Sequence, residues 1–322
     1  MQAAPYHADL ADGPKDAAAY WVSAADGVRL RVGALASGAK GGTVLLFPGR
    51  TEYVEKYGRA ARDFERLGYA SLIIDWRGQG LSDRLLGDRM SGHVPDFHDY
   101  QRDVAAMIEA AETLRLPKPF HLLAHSMGGA IGLRAVLDGL PVVSCAFSAP
   151  MWGIQLSDIL RVVAWSVSWG SRRIGMDHVY APSSTATESY VLVEPFETNK
   201  LTRDREMYQY MIDQTLACPA LGLGGPSLRW LHEALRETRA LSRRAAPDLP
   251  CYTFAGTDEQ IVDLERINHR MRHWPGAQMD WVEGGRHELM MDLPATRARV
   301  FEALGRFFDS HGGLEHAVSR PA

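Results

Sequence analysis

Short, almost wholly apolar runs alternate with stretches of helical spacing over most of the chain. The runs are Thr43–Phe47, Ser71–Asp75, Phe120–Ala124, Val142–Ser148, Cys251–Ala255 and Gln278–Val282. Between and after them, apolar residues recur with helical spacing over Lys56–Leu67, Phe97–Leu114, Met127–Leu137, Val262–Met271 and Ala295–Asp309. Strands without polar alternation are buried on both faces. Their alternation with helices therefore predicts a mostly parallel sheet covered by helices on each side, an α/β fold. Ahead of this series, Tyr20–Ser23 and Val28–Ala34 flank Asp26-Gly27, a turn pair that joins hairpin strands.

The alternation stops after Pro150 and resumes near Pro250. From Met151 to about Leu241 the pattern is helical, with Trp152, Trp165, Trp169 and Trp230 and with loop clusters at Ala181–Ser184 and Gly222–Pro226. The expected organisation is a sheet domain made of residues 1–150 and 245–322, carrying a helical insertion at 151–244. Ile154 to Ile174 mixes aliphatic residues and Trp with few charges before Arg172-Arg173. Three placements suit such a stretch: a core helix of the insertion, the lining of an acyl tunnel, or a face resting on a membrane surface.

Composition narrows the class. The 322 residues are 46% hydrophobic and 23% charged, an ordinary globular balance. A net charge of −4 without a Lys/Arg run argues against nucleic acid as a partner. Cys145, Cys218 and Cys251 are widely spaced and odd in number, which fits reduced thiols better than a disulfide framework or a zinc site. Met1 to Lys15 has no apolar segment of the signal-peptide kind, and no stretch is apolar for long enough to span a bilayer. The expected setting is cytoplasmic.

Ser126 is the focus of the chemistry. It follows the apolar run Phe120–Ala124, is followed at once by a helical pattern, and has Ala124 and Gly128 two residues to either side. Small residues at those positions mark a nucleophile elbow, the tight strand-to-helix turn that exposes a serine Oγ. A serine hydroxyl needs a base, and the base needs an orienting acid. Both appear downstream at strand ends, where catalytic groups collect in open α/β sheets. His287 lies in the glycine-rich loop after Gln278–Val282, and the adjacent acids Asp258 and Glu259 follow Cys251–Ala255. On residue type alone either acid serves. His125 precedes the serine and reads as a packing or supporting group. His269 and His273 share a helix face with no third metal ligand evident and read as an exposed basic face. An oxyanion hole needs two backbone N–H groups aimed at one point. Met127, directly after the serine, and Arg50, in the loop after Thr43–Phe47, are the candidates.

These residues carry a family resemblance. Phe47 to Tyr57 contains Pro-Gly-Arg-x-Glu, Asp75 to Ser82 reads Asp-Trp-Arg-Gly-Gln-Gly-Leu-Ser, and Gly92-His-Val94 leads on to Phe97 and Tyr100. Together with the Ala124–Gly129 elbow, Asn199–Thr202 and Leu221–Ser227, they resemble bacterial lysophospholipases of the serine α/β-hydrolase superfamily, in its monoacylglycerol-lipase-like group. The resemblance runs from about Tyr20 to Phe308. It implies the α/β-hydrolase fold with an inserted helical cap, and a Ser126–His287–acid triad without metal or cofactor. In the family's pattern around the acid, Gly256, Ile261 and Val262 align to place Glu259 at that position. Glu is a departure for the superfamily, though familiar in this subgroup. The implied activity is carboxylester hydrolysis of a single-acyl lipid through an acyl-enzyme, lysophospholipid before monoacylglycerol; the membrane placement of Ile154 to Ile174 would add peripheral contact at the inner membrane surface through the cap. A small-molecule carboxylesterase would use the same residues, and a non-catalytic ligand-binding protein could share the fold.

Overall fold

A computed structural model describes residues 1–36, 41–182 and 187–312. Part of the Ala181–Ser184 loop cluster and residues 313–322 of the expected sheet domain lie outside the described residues. The strands are β1 (Gln2–Ala4), β2 (Ala18–Ser23), β3 (Arg29–Leu35), β4 (Thr43–Phe47), β5 (Ala70–Asp75), β6 (Phe120–His125), β7 (Ser144–Ser148), β8 (Cys251–Gly256) and β9 (Gln278–Val282). They form one sheet in the order β1-β2-β3-β5-β4-β6-β7-β8-β9. Strands β5, β4, β6, β7, β8 and β9 pair in parallel, and β1, β2 and β3 join antiparallel at one edge. Strand β1 and the short α1 (Ala8–Ala11) come from a leader that has no periodic signal of its own. The edge of β2 supplies the pairing that so short a strand lacks in isolation.

Alternate side chains on the central strands go to opposite faces and nucleate two cores. Leu45, Leu72, Ile74, Leu122 and Phe147 face one way, into a core with residues of α3 (Asp99–Thr113), α4 (Met127–Leu137) and α9 (Leu264–Arg272). Val44, Leu46, Ile73, Leu123 and Phe254 face the other way, against α2 (Gly58–Arg66) and α10 (Pro294–His311). Between β7 and β8 the described chain forms α5 (Asp158–Arg173), α6 (Tyr190–Val193), α7 (Arg205–Ala217) and α8 (Leu228–Leu241) and no strand.

The strand order positions the site. From β4 the chain moves one way to β5, then returns to place β6 on β4's other side. The carboxyl ends of β4 and β6 therefore flank a topological switch point, where neighbouring loops leave in opposite directions and open a crevice.

Candidate active site

The crevice holds Ser126. It caps the start of α4 at φ 52° and ψ −118°, a backbone region costly for a residue with a Cβ. The strain is held in place by the backbone around it. Ser126 N–H donates to Ser148 O at 3.1 Å, and its carbonyl accepts from Gly129 N and Met151 N, both at 2.8 Å. Gly128 is required by close approach: a Cβ there would stand 2.1 Å from Phe47 O. A side chain at that position would push α4 off the end of β4.

The candidate base and acid converge on this serine from the ends of β8 and β9. His287 Nε2 lies 2.8 Å from Ser126 Oγ, and His287 Nδ1 lies 2.6 Å from Glu259 Oε2. All three residues are buried, whereas Asp258 is exposed. The other carboxylate oxygen of Glu259 accepts from the N–H groups of Ile261 and Val262, at 2.6 and 3.2 Å. Burial alone would raise the Glu259 pKa. The charge of His287 and these hydrogen bonds outweigh it and hold the carboxyl below its ordinary value. An ionised acid against Nδ1 keeps a proton there and leaves Nε2 free to accept one from Ser126.

The loop after β4 is held by its carbonyls. Trp76 Nε1 donates to Pro48 O at 2.9 Å, and Gln79 Nε2 donates to Gly49 O at 2.8 Å. In a trans peptide the N–H points opposite to the C=O, so fixing Gly49 O also aims the Arg50 N–H. Neither the Arg50 N–H nor the Met127 N–H donates to a protein acceptor among the described residues. The two unused donors sit on the loop after β4 and at the start of α4. The Trp76-to-Ser82 stretch thus fixes the loop after β4. Its Gly80 sits against the Asp75 carboxylate, which accepts from Arg31 Nε and from the N–H groups of Val54 and Leu81.

A buried ionic cluster underlies both loops, and the sequence pattern did not announce it. Lys56 Nζ lies 2.5 Å from Glu52 Oε1 and 2.6 Å from Glu288 Oε1. The second Glu52 oxygen accepts from Gly49 N–H and, at 2.5 Å, from Tyr57 O–H. Lys56 therefore ties the loop after β4 to the residue that follows His287. His125 completes the group: its Nε2 is 3.4 Å from Glu288 and 3.5 Å from Glu52, and its ring centroid is 4.7 Å from that of His287. Burial opposes charge on this ring, but the two carboxylates outweigh it and raise its pKa. Glu288 is likewise held well below its usual range, burial being overcome by Lys56 and then His125. Glu52, His125 and Glu288 offer ligand atoms all within 4.8 Å of one another, a spacing a metal could use. The Lys56 ammonium already bridges the two carboxylates. The signals were present in the Glu52/Lys56 spacing of four, in His125 beside the serine and in Glu288 beside His287, but only the fold joins them.

The family model for serine aminopeptidase, S33 (Hydrolase_4), matches residues 38–294. The chain belongs to that family. Lysophospholipase L2 of Escherichia coli K12 is 32% identical to this Hydrolase_4 chain over 279 residues, covering 83% of it and 80% of the relative. Probable lysophospholipase L2 of Haemophilus influenzae is 28% identical over 272 residues, covering 83% of each. Among solved structures, a soluble variant of monoglyceride lipase from Saccharomyces cerevisiae superposes with a TM-score of 0.69 at 20% identity, over 90% of this chain and 94% of that one. That likeness shows the α/β-hydrolase fold. Family and relatives together make this Hydrolase_4 member a serine hydrolase.

The remaining sequence candidates fall away from the site. His269 and His273 stack at 4.5 Å on the exposed side of α9. Arg270, which lies between them in the chain, is buried, and its guanidinium caps the carbonyls of Leu241 and Arg244.

Proposed function

We propose that the chain is a lysophospholipase that hydrolyses single-acyl lipids through a Ser126–His287–Glu259 triad. The observation that carries the proposal is the unbroken hydrogen-bonded chain from Ser126 Oγ through His287 to Glu259. As His287 Nε2 takes the hydroxyl proton, Ser126 Oγ attacks the ester carbonyl. The resulting oxyanion is bound by the Arg50 and Met127 N–H groups. His287 then passes its proton to the departing alkoxyl oxygen, which leaves an acyl-serine. Water, deprotonated by the same imidazole, releases the fatty acid and restores the serine. Glu259 stays ionised throughout and orients the ring.

The segment 151–244 acts as a cap in this reading. Support comes from its contacts to both catalytic loops. Glu288 N donates to Leu201 O at 2.8 Å, and Arg50 Nη1 donates to Gly224 O at 2.8 Å. The cap is also the part that meets the lipid surface. Helix α5 is inverted: Ser168 and Ser171 are buried, while Ile159, Val162 and Ile174 at its end are 79%, 66% and 70% exposed. Leu160, Val163, Val167 and Trp169 are exposed with them. A contiguous apolar face with Arg172 and Arg173 at its end matches an anionic membrane surface. The protein should co-sediment with anionic lipid vesicles, and Ile159→Glu with Val162→Glu should lower its partitioning at least about tenfold. Unchanged sedimentation of the double variant would remove α5 from the contact. Among the described residues no helix is long and apolar enough to cross a membrane, so the contact is peripheral.

The substrate assignment draws on the lysophospholipase L2 relatives and on this apolar cap. Each buried methylene of an acyl chain contributes about 0.8 kcal/mol. Purified protein should therefore show a higher kcat/KM on long-chain lysophospholipid than on acetate or butyrate esters, compared below the critical micelle concentration. If short esters win and no single-acyl lipid is cleaved, the chain is a small-molecule esterase.

A further inference from the structure

Buried cations in this protein are paired with carboxylates almost throughout. Arg31 meets Asp75 and Glu55, Arg77 meets Asp103 and Asp26, and Lys56 meets Glu52 and Glu288. Arg50, on the loop after β4, is an exception. Among the described residues no carboxylate lies within ion-pair distance of its guanidinium, whose hydrogen bond runs from Nη1 to Gly224 O. The Trp230 ring lies beneath it at 5.7 Å. Arg84, Arg270 and Arg286 also lack acids, but Arg84 spreads its donors over the carbonyls of Ser82, Arg89, Ala220 and Gly222, Arg270 spans those of Leu241 and Arg244, and Arg286 is bound to those of Asn199 and Thr202. The Nε and Nη2 donors of Arg50 have no partner among the described residues and are not sealed from solvent. Burial, the main cause, lowers its pKa to about 10, with only the Tyr100 phenol acting against it and no carboxylate. A half-buried guanidinium whose free donors reach solvent and face no carboxylate is open to an anion, with which its hydrogen bonds are charge-assisted.

The position of this charge matters. Arg50 contributes its backbone N–H to the proposed oxyanion hole, so an ester carbonyl bound there and an anion bound at the guanidinium are separated by one arginine side chain. In a glycerol-based lysophospholipid, a comparable length separates the scissile carbonyl from the phosphate. The geometry points to Arg50 as the residue that binds the phosphodiester of the substrate head group, making it the determinant that separates lysophospholipid from monoacylglycerol. This rests on the lipid-ester reading above and deepens it. The planar fork can grip two phosphate oxygens at once, and Trp230 and Gly224 hold it in place beneath the cap.

The test is a selectivity ratio. Full-length wild type, Arg50→Met and Arg50→Lys are assayed on lysophosphatidylcholine and monoacylglycerol of the same acyl length, below their critical micelle concentrations. A ratio of kcat/KM values cancels the amount of folded enzyme and any shared loss from a disturbed oxyanion loop. The expected result is a fall of about 10- to 100-fold in the lysophospholipid-to-monoacylglycerol ratio for Arg50→Met, the size of one lost charge-assisted contact. Arg50→Lys should fall less, because it keeps the charge and loses the fork. An unchanged ratio in an enzyme that cleaves both lipids would overturn this assignment alone and leave Arg50 as a latch on Gly224. A wild-type enzyme that cleaves monoacylglycerol and ignores lysophospholipid would overturn it together with the lysophospholipase reading. Inorganic phosphate at millimolar concentration is the third arm. Inhibition of wild type as strong as that by glycerophosphocholine would assign the guanidinium to free phosphate and overturn the head-group reading.

Discussion

Ser126→Ala is expected to lower kcat on any accepted ester by about 10⁶-fold and to abolish labelling by a fluorophosphonate. Two features set this size. The hydroxyl sits 2.8 Å from His287 Nε2, and its backbone is held in a strained conformation by Ser148 O, Gly129 N and Met151 N. Nothing else in the crevice can replace an oxygen delivered on that turn. The fold should persist, because removing one hydroxyl leaves α4 and the Gly128 contact intact. It should be verified by circular dichroism and thermal unfolding beside the kinetics. Retained labelling at a different serine would remove Ser126 as the nucleophile. The residual rate is informative too. If the Arg50 and Met127 N–H groups form a working oxyanion hole, the variant should still exceed the rate in water by roughly 10³-fold.

Glu259→Gln should cost about 10⁴-fold in kcat, while Asp258→Asn stays within a few-fold of wild type. An amide at 259 can offer its NH₂ to His287 Nδ1, which favours the tautomer with the proton on Nε2 and blocks proton transfer from Ser126. Asp258 is exposed, and the carboxylate that accepts the His287 Nδ1–H is that of Glu259. The reverse outcome, with Asp258→Asn inactive and Glu259→Gln active, would move the acid by one residue. Stability should separate the two variants with pH. The folded-state pKa of Glu259 is depressed, so the unfolded state binds more protons in the interval below the ordinary carboxyl value of roughly 4.3. Its contribution to stability is complete above that value and is lost as pH falls through the folded pKa. Denaturant midpoints should therefore show wild type gaining on Glu259→Gln as pH rises out of the acid range, with a constant difference from about pH 5 upward.

Much of the fold was legible because its signals are local. Six runs matched β4 to β9 to within one or two residues; β4 to β8 are buried along their whole length, whereas the edge strand β9 alternates Gln278 and Asp280 with apolar residues. The Asp26-Gly27 turn joined β2 to β3 as its dipeptide required. What escaped was non-periodic or long-range. Strand β1 exists only because β2 offers it an edge. The helix expected over Lys56–Leu67 begins as a tighter 3₁₀ turn, Val54–Tyr57, because Val54 N–H is drawn onto Asp75 Oδ1 and Glu55 onto Arg31.

The amino-acid order by itself determined which residues could perform acyl chemistry. A strained elbow requires small neighbours, a base requires an imidazole on a loop, and strand ends gather such groups in an open parallel sheet. Those constraints act over a few residues and leave marks in the chain. Choosing Glu259 over Asp258 from spacing alone was not open to them, because the two differ by one position on a loop, and burial with the Ile261 and Val262 N–H groups is what separates them. Only the tertiary structure brought Glu52, Lys56, His125 and Glu288 into one buried cluster, turned the apolar side of α5 outward, and left the Arg50 guanidinium without an acid. Each of these depends on which distant segment supplies the partner for a charge or an apolar face. That choice is made by packing free energy over the whole molecule and has no period in the sequence.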